Sequence, residues 1–288
     1  MSKVRAFFSL IDIEHTLFGL PFAYLGAFLA ALTVYRGGPS FYDLFWITVA
    51  MVGARTAALC LNRIIDRHID RANPRTKDWV LPSGQLPVEI IWVLVTVSFA
   101  LLLFAASQLN PLCLYLSPLA VIILWLYSYT KRFTWLCHLF LGMAIGMGPI
   151  GAWFGVTGIF SWIPVLIGAA VAFWVAGFDT MYACQDIEFD RQHGLHSIPA
   201  RFGEKGALLF SALFHLLTIV FLLLTGIILQ LGIWYYIGVG LASVILIYQH
   251  FIVKPGDLTR VGFATFSINR YVGLIIFVTT LIDIFLVS

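Results

Sequence analysis

Apolar residues along this chain run in long blocks separated by short polar stretches. About nine blocks approach the ~20 residues that a helix needs to cross the hydrocarbon core of a bilayer. They cover residues 18–35, 41–61, 88–107, 111–129, 135–156, 162–183, 207–229, 233–253 and 268–287. A helix is the expected state of each, because it satisfies its own backbone polar groups in lipid and the blocks are too long for the strands of a membrane barrel. The connections are uneven. Those at 108–110 and 230–231 are very short, whereas 62–87 and 184–206 are long, begin as charged extensions of an apolar helix, and carry later breaks at Pro74, Pro82, Gly84, Gly194, Pro199 and Gly203. Counting alternate passes, the second and sixth helices run in the same direction and finish on the face that carries both long connections.

Composition agrees with a polytopic membrane protein. Of 288 residues 61% are hydrophobic and 11% charged, with mean hydropathy +0.96, where a soluble domain is roughly a quarter charged. The expected architecture is an all-α membrane protein, a single domain over 1–288, with its helices around a central cavity. Basic residues settle the orientation under the positive-inside rule. One side collects Lys3, Arg5, Arg63, Arg67, Arg71, Arg75, Lys77, Lys131, Arg132, Arg191, Arg201, Lys205, Lys254 and Arg260, and the other only Arg36. The N-terminus and the long connections are therefore expected on the cytoplasmic side, with a bacterial cytoplasmic membrane as the expected location. Topology accounts for the basic residues, so a net charge of +3 points to no nucleic-acid partner. Cys60, Cys113, Cys137 and Cys184 lie in or beside apolar blocks without a C-x-x-C pair, so neither a disulfide framework nor a zinc site is indicated, and buried, reduced thiols are expected.

Candidate chemistry concentrates where two blocks end. In "LCLNRIIDRHID" (59–70), Asn62, Asp66 and Asp70 recur every fourth residue, each about 40° further round a helix. Arg55, two turns earlier, shares the face of Asn62 and Asp66. In "DTMYACQDIEFD" (179–190), Asp179, Asp186 and Asp190 fall within about 40° of one another on a continuous helix, with Tyr182 about 60° away. Ionisable residues at the edge of a span are costly unless they function. Two carboxylate stripes facing each other also repel unless cations sit between them. Mg²⁺ resolves the conflict, since it accepts a few carboxylates and completes its octahedron with phosphate oxygens and water. Such a site suits a diphosphate whose hydrocarbon tail lies in the apolar interior. Ring faces, from a chain that is 16% aromatic, then shelter an allylic cation.

These residues closely resemble the UbiA superfamily of intramembrane aromatic prenyltransferases. The resemblance covers essentially the whole chain and rests on the N-x-x-x-D-x-x-x-D motif at Asn62, Asp66 and Asp70 and the D-x-x-Y-x-x-x-D-x-x-x-D motif at Asp179, Tyr182, Asp186 and Asp190. It implies Mg²⁺-dependent transfer of a polyprenyl group from its diphosphate to the ring of a small hydroxylated aromatic acid in the bilayer. "LPSG" at 81–84, "YSYTKR" at 127–132 and "GLHSIPARFG" at 194–203 are similar to enzymes described as 4-hydroxybenzoate polyprenyltransferases of quinone biosynthesis. The longer strings "NRIIDRHIDRANPRT" and "ACQDIEFDR" are similar to the branch of the futalosine route to menaquinone, whose acceptor is a dihydroxynaphthoate. Three positions depart from the pattern of many members: Arg63 follows Asn62 in place of Asp, Trp79 and Val80 precede Leu81 where Arg is common, and His196 replaces a Lys.

The expected set is therefore Asp66, Asp70, Asp186, Asp190 and Tyr182 as catalytic residues, with Asn62 and those four aspartates as metal ligands. Arg55, Asn62, Arg75, Lys131, Arg132, Asp179 and His196 are the expected substrate-binding residues, with Lys77 as an alternative to Arg75. Glu14 and His15 read as a hydrated helix start, Asp283 as an interfacial cap, and Gly142, Gly146, Gly148 and Gly151 as a stripe for close helix packing. The rival class is a cation-coupled transporter of an organic anion. Transporter sites generally lie near the bilayer midplane, and both motifs here sit at helix ends, which favours the enzyme.

Overall fold

A computed structural model describes residues 13–287, with side chains from 19 to 286. Lys3 and Arg5 lie outside the described residues, as do the side chains of Glu14 and His15. The helices are α1 (Ile13–Tyr35), α2 (Phe41–Ala72), α3 (Val88–Leu109), α4 (Pro111–Thr130), α5 (Cys137–Thr157), α6 (Ile163–Tyr182), α7 (Ile187–Gln192), α8 (Ile198–Ile228), α9 (Ile233–Ile252) and α10 (Arg270–Val287). A 3₁₀ turn, Ala183–Asp186, joins α6 to α7, and a π-helical turn, Phe263–Ile268, leads into α10. Among the described residues eight helical segments are long and apolar enough to cross a membrane, and Gly19–Tyr35 adds a shorter apolar one. That matches the expected nine.

Local chemistry explains the ends. Ser40 accepts the Asp43 N–H at 3.0 Å while the Asp43 carboxylate accepts the Ser40 N–H at 3.2 Å, a reciprocal cap that starts α2. Asn110 closes α3 with its own N–H on Ala106 and opens α4 by accepting the Cys113 N–H at 3.0 Å, with Pro111 at the first helical position. One residue thus turns the chain. Gly158, at φ 64°, ends α5 in the left-handed region that favours glycine.

The second helix carries the expected charged extension beyond 61 and runs to Ala72, about 48 Å in all, because the segment 62–72 keeps helical spacing and meets no breaker before Pro74. Two other boundaries differ from the expectation. The sixth block ends at Tyr182 and changes to a 3₁₀ turn, so the helical wheel drawn through Asp190 does not hold. The seventh begins at Ile198, where Ser197 accepts the Ala200 N–H at 3.2 Å, and bends at Gly203 with φ 69°.

Helix α5 is the central post. It packs on α1, α4 and α6, while α6 packs on α8 and α10 packs on both α9 and α1. A Cβ on Gly142 would collide with the Ala172 carbonyl of α6, one on Gly146 with the Gly168 carbonyl, and one on Gly26 of α1 with the Pro149 backbone. The expected close packing is there for Gly142 and Gly146. It does not extend to Gly148, which faces only the flexible end of Met51 at 3.2 Å, or to Gly151, which has nothing within 4 Å. Both line a cavity instead. Asp283 is buried, and its carboxylate accepts the N–H groups of Gly232, Trp234 and Tyr235. It caps the start of α9, as the sequence reading expects.

Candidate active site

The cavity has a volume of about 1310 Å³ and follows α2 from Ile47 to Asp70, a rise of about 34 Å. Its deep walls are apolar, from α2, α4, α5 and α6. At the end where α2, α6 and α7 carry their aspartates it becomes densely charged: Asn62, Asp66, Asp70, Arg75, Lys131, Asp179, Tyr182, Asp186 and Asp190 all line it, and Arg55 lines it further in.

Asp66 is 2% exposed. Its carboxylate accepts Asn62 Nδ2 at 3.0 Å, Lys131 Nζ at 2.7 Å and Arg132 Nη2 at 3.0 Å. Arg132 also donates to the carbonyls of Ser128 and Ile65, each at 2.9 Å, so the α4–α5 connection is clamped onto α2. Asp70, one turn further, is buried; Thr76 Oγ1 donates to its carbonyl at 2.8 Å, and its Oδ2 has no partner.

The loop after α2 folds back across the mouth. Arg75 donates Nε to Asp186 Oδ1 at 3.0 Å and Nη2 to Asp186 Oδ2 at 2.5 Å, a bidentate pair, while Nη1 donates to the Tyr182 hydroxyl at 3.2 Å. Asn73 Nδ2 donates to the same Asp186 Oδ1 at 3.0 Å. Burial works against the Arg75 charge, but the hydrogen bond and attraction of Asp186, with Tyr182 behind it, hold its pKa above the usual arginine range. Trp79 of this loop lies under the Arg63 guanidinium, 3.7 Å from the ring centre. Asp179 is paired with His138 Nδ1 at 2.7 Å, and Asp190 accepts the Ser197 hydroxyl at 2.8 Å. Ser197 is also the cap of α8, so the start of that helix is tied to the acidic cluster.

Arg75, not Lys77, is the cation brought to the site; Lys77 is exposed. His196 is exposed and absent from the cavity wall. Its backbone alone takes part, the N–H donating to the Lys131 carbonyl at 2.7 Å and the carbonyl accepting the Cys137 thiol at 3.4 Å. The broken helix at 183–186 changes the wheel, yet Asp179, Asp186 and Asp190 still reach one cavity. Sequence reasoning missed Asn73, Thr76, Trp79, His138 and Ser197. His138 alone carried a signal, an ionisable residue just inside an apolar span.

A divalent metal can be tested against this donor set. Among the described residues no three His, Cys, Asp or Glu side chains lie close enough to hold an ion by themselves. The donors are carboxylate and amide oxygens, with one buried carboxylate oxygen, Asp70 Oδ2, left without a partner. Hard oxygens on two separate stripes fit Mg²⁺, which takes one or two protein carboxylates and substrate phosphate rather than a closed protein cage. They do not fit zinc.

Residues 20–270 match the UbiA prenyltransferase family. The chain is 30% identical over 284 residues to a 4-hydroxybenzoate octaprenyltransferase of Vibrio campbellii, covering 97% of this chain and 98% of the relative. It superposes on the apo structure of a UbiA homolog from Aeropyrum pernix K1 with a TM-score of 0.85 and 36% identity, over 94% of this chain and 98% of that one. A UbiA homolog from Archaeoglobus fulgidus, whose structure holds DMAPP and Mg²⁺, shares the fold with a TM-score of 0.66 at 20% identity, over 93% of this chain and 98% of that one.

Proposed function

The chain belongs to the UbiA prenyltransferase family, and on that footing we propose that it transfers a polyprenyl group from a polyprenyl diphosphate to the ring of a hydroxylated aromatic acid inside the membrane. The observation that carries this reading is a deep apolar cavity whose mouth alone is lined by two carboxylate stripes and their cations. A diphosphate with a long hydrocarbon tail has the same division of charge.

Asp66, Asp70, Asp186 and Asp190, with Asn62, are the residues that would hold Mg²⁺, which when bound supplies positive charge against the developing diphosphate anion. Arg75, paired with Asp186, and Lys131, paired with Asp66, line the same mouth and provide charge-assisted hydrogen bonds to diphosphate, while Arg132, which does not line the cavity, braces Asp66. The Tyr182 hydroxyl, oriented by Arg75, stands beside them. As the bond from the allylic carbon to diphosphate oxygen breaks, the electron pair leaves with diphosphate, and the electron-rich acceptor ring forms the new carbon–carbon bond before losing its proton. Arg55 lies about 10 Å deeper along α2 than Asn62. It is placed for an anion other than the diphosphate, and the acceptor's carboxylate is that anion. Asp179, held by His138, also lines the cavity and on this reading meets the acceptor hydroxyl. On this reading the mouth opens on the cytoplasmic side, which the basic residues at this end support under the positive-inside rule.

The 4-hydroxybenzoate relatives and the strings shared with the dihydroxynaphthoate branch leave two acceptors to compare. The test is Mg²⁺-dependent transfer by the purified chain in detergent, offering geranyl or farnesyl diphosphate with 4-hydroxybenzoate or 1,4-dihydroxy-6-naphthoate separately, each product identified by mass. Preference for one acceptor assigns the quinone pathway. No transfer to either, from folded protein, overturns the acceptor class.

A further inference from the structure

Away from the charged mouth, three helical elements meet at a buried polar cluster. Trp174 of α6 is 1% exposed, and its Nε1 donates to Asn269 Oδ1 at 2.9 Å. Gln249, in the last turn of α9, donates Nε2 to the same oxygen at 2.8 Å. Both amides are fully buried, and the other ends of both, Asn269 Nδ2 and Gln249 Oε1, have no partner. An indole N–H only donates, so it fixes which end of Asn269 faces it. Unpaired buried amide atoms are costly. A cluster serving only to join helices would satisfy its own donors and acceptors. This one leaves two unsatisfied while fully determining the position of one ring.

That ring borders the cavity. Trp174, Phe178 and Tyr182 recur every fourth residue along α6, and all three line it. Trp174 packs on Phe178 with centroids 5.2 Å apart and on Phe22 at 5.0 Å. Beside it, the π-helical turn Phe263–Ile268, which Asn269 directly follows, brings Thr265 and Phe266 to the same cavity, and Phe266 meets Tyr182 edge to face at 4.8 Å. π-Helical turns are rare and frequent at functional sites. Asn269 therefore links the turn that carries Phe266 to the ring that continues the wall inward from Tyr182.

We propose that the Asn269–Gln249 amide pair fixes Trp174 as the inner panel of an aromatic wall that keeps water from the allylic carbon as its bond to diphosphate breaks. Asn269 is a positioning residue that acts through Trp174. The inference rests on the prenyl-transfer reading above. Once the carbon–oxygen bond breaks and diphosphate leaves with the electron pair, two partners compete for the cation. The acceptor ring forms a carbon–carbon bond and loses a proton; water forms a carbon–oxygen bond and loses a proton, giving the prenyl alcohol. A loosened wall shifts the balance toward alcohol.

The test uses the full chain in detergent with Mg²⁺, geranyl diphosphate and the acceptor preferred by the wild type, and reads the ratio of geraniol to prenylated acceptor in one reaction. Both products come from the same folded molecules, so the ratio does not change with the folded fraction. Asn269→Leu and Trp174→Phe are each expected to raise it about five-fold, the size of a displaced cation–ring contact. The double variant is expected to rise no further than the larger single, as for two residues in one linkage. Trp174→Phe keeps an aromatic side chain in the wall but replaces the indole with a smaller ring that has no N–H to give Asn269, so it tests the wall directly if Asn269→Leu does not fold. An unchanged ratio in the folded variants, with rates that follow the amount of folded protein, overturns the proposal and leaves a helix-joining contact. A wild-type chain that transfers no prenyl group overturns the underlying reading and this inference with it, and that result appears before any variant is made.

Discussion

Asp66 is almost wholly buried, yet the cations that neutralise it, Lys131 and Arg132, have side chains 29% and 32% exposed. That asymmetry decides what its removal does. In Asp66→Asn the two cations turn toward water, so the stability cost is well below the ~3–5 kcal/mol of a fully buried broken pair. Transfer is expected to fall by at least about 100-fold, the usual loss when charge stabilisation of a leaving group is removed. Near-normal turnover in both Asp66→Asn and Asp186→Asn would sink the metal assignment. Arg75→Lys keeps a positive charge but loses the fork that grips both Asp186 oxygens while holding Tyr182, so an increase of about ten-fold in the KM for diphosphate is expected. Steady-state kinetics at varied diphosphate checks it. His196→Ala is the contrasting case. With its ring exposed and only its backbone bonded to Lys131, kcat/KM is expected to stay within about two-fold of wild type.

Among the elements, helix α5 has glycines of two kinds, and substitution separates them. Gly142→Ala drives a methyl into the Ala172 carbonyl of α6, and backbone cannot rotate away as a side chain can, so a loss of about 1–3 kcal/mol is expected. Gly151→Ala meets open space and gains helix propensity, so thermal unfolding in detergent is expected to show no loss. The stripe was legible in the sequence, but which members face α6 and which face the cavity was not, because that depends on where the neighbouring helix crosses. Asp283 illustrates the opposite case. Its place near the end of the last span already suggested a cap, and Asp283→Ala is expected to cost about 2 kcal/mol by leaving buried N–H groups of α9 without an acceptor. Activity per folded molecule should be unchanged, which a melt paired with an active-fraction assay checks.

For the whole molecule, one cavity joins a charged mouth to apolar deep walls, the division that the proposed prenyl transfer uses for diphosphate and tail. Asp66 and Asp186 are each balanced by cations of the protein itself, Lys131 with Arg132 for the first and Arg75 for the second. Chelation with EDTA is therefore expected to abolish transfer while leaving the helical circular-dichroism signal and the melting temperature close to their starting values. Readdition of Mg²⁺ is expected to restore turnover. Collapse of the helical signal on chelation would show instead that the ion is structural.

The sequence by itself determined the all-helical membrane class, the number of spans and the two aspartate motifs, because each follows from local rules: backbone satisfaction in lipid, block length and fourfold spacing along a helix. It also marked Arg55, Asn62 and Asp66 as one face of a helix, which the continuous α2 preserves. Only the tertiary structure decided that the loop after α2 returns to place Asn73 and Arg75 on Asp186, and that His138 of α5 meets Asp179 of α6. It likewise decided that His196 points away and that Asn269 reaches Trp174 across 95 residues of chain. These are meetings between segments distant in sequence. Their partners are selected by how helices cross and where a turn departs from ideal geometry, and neither is encoded in the periodicity of any one segment.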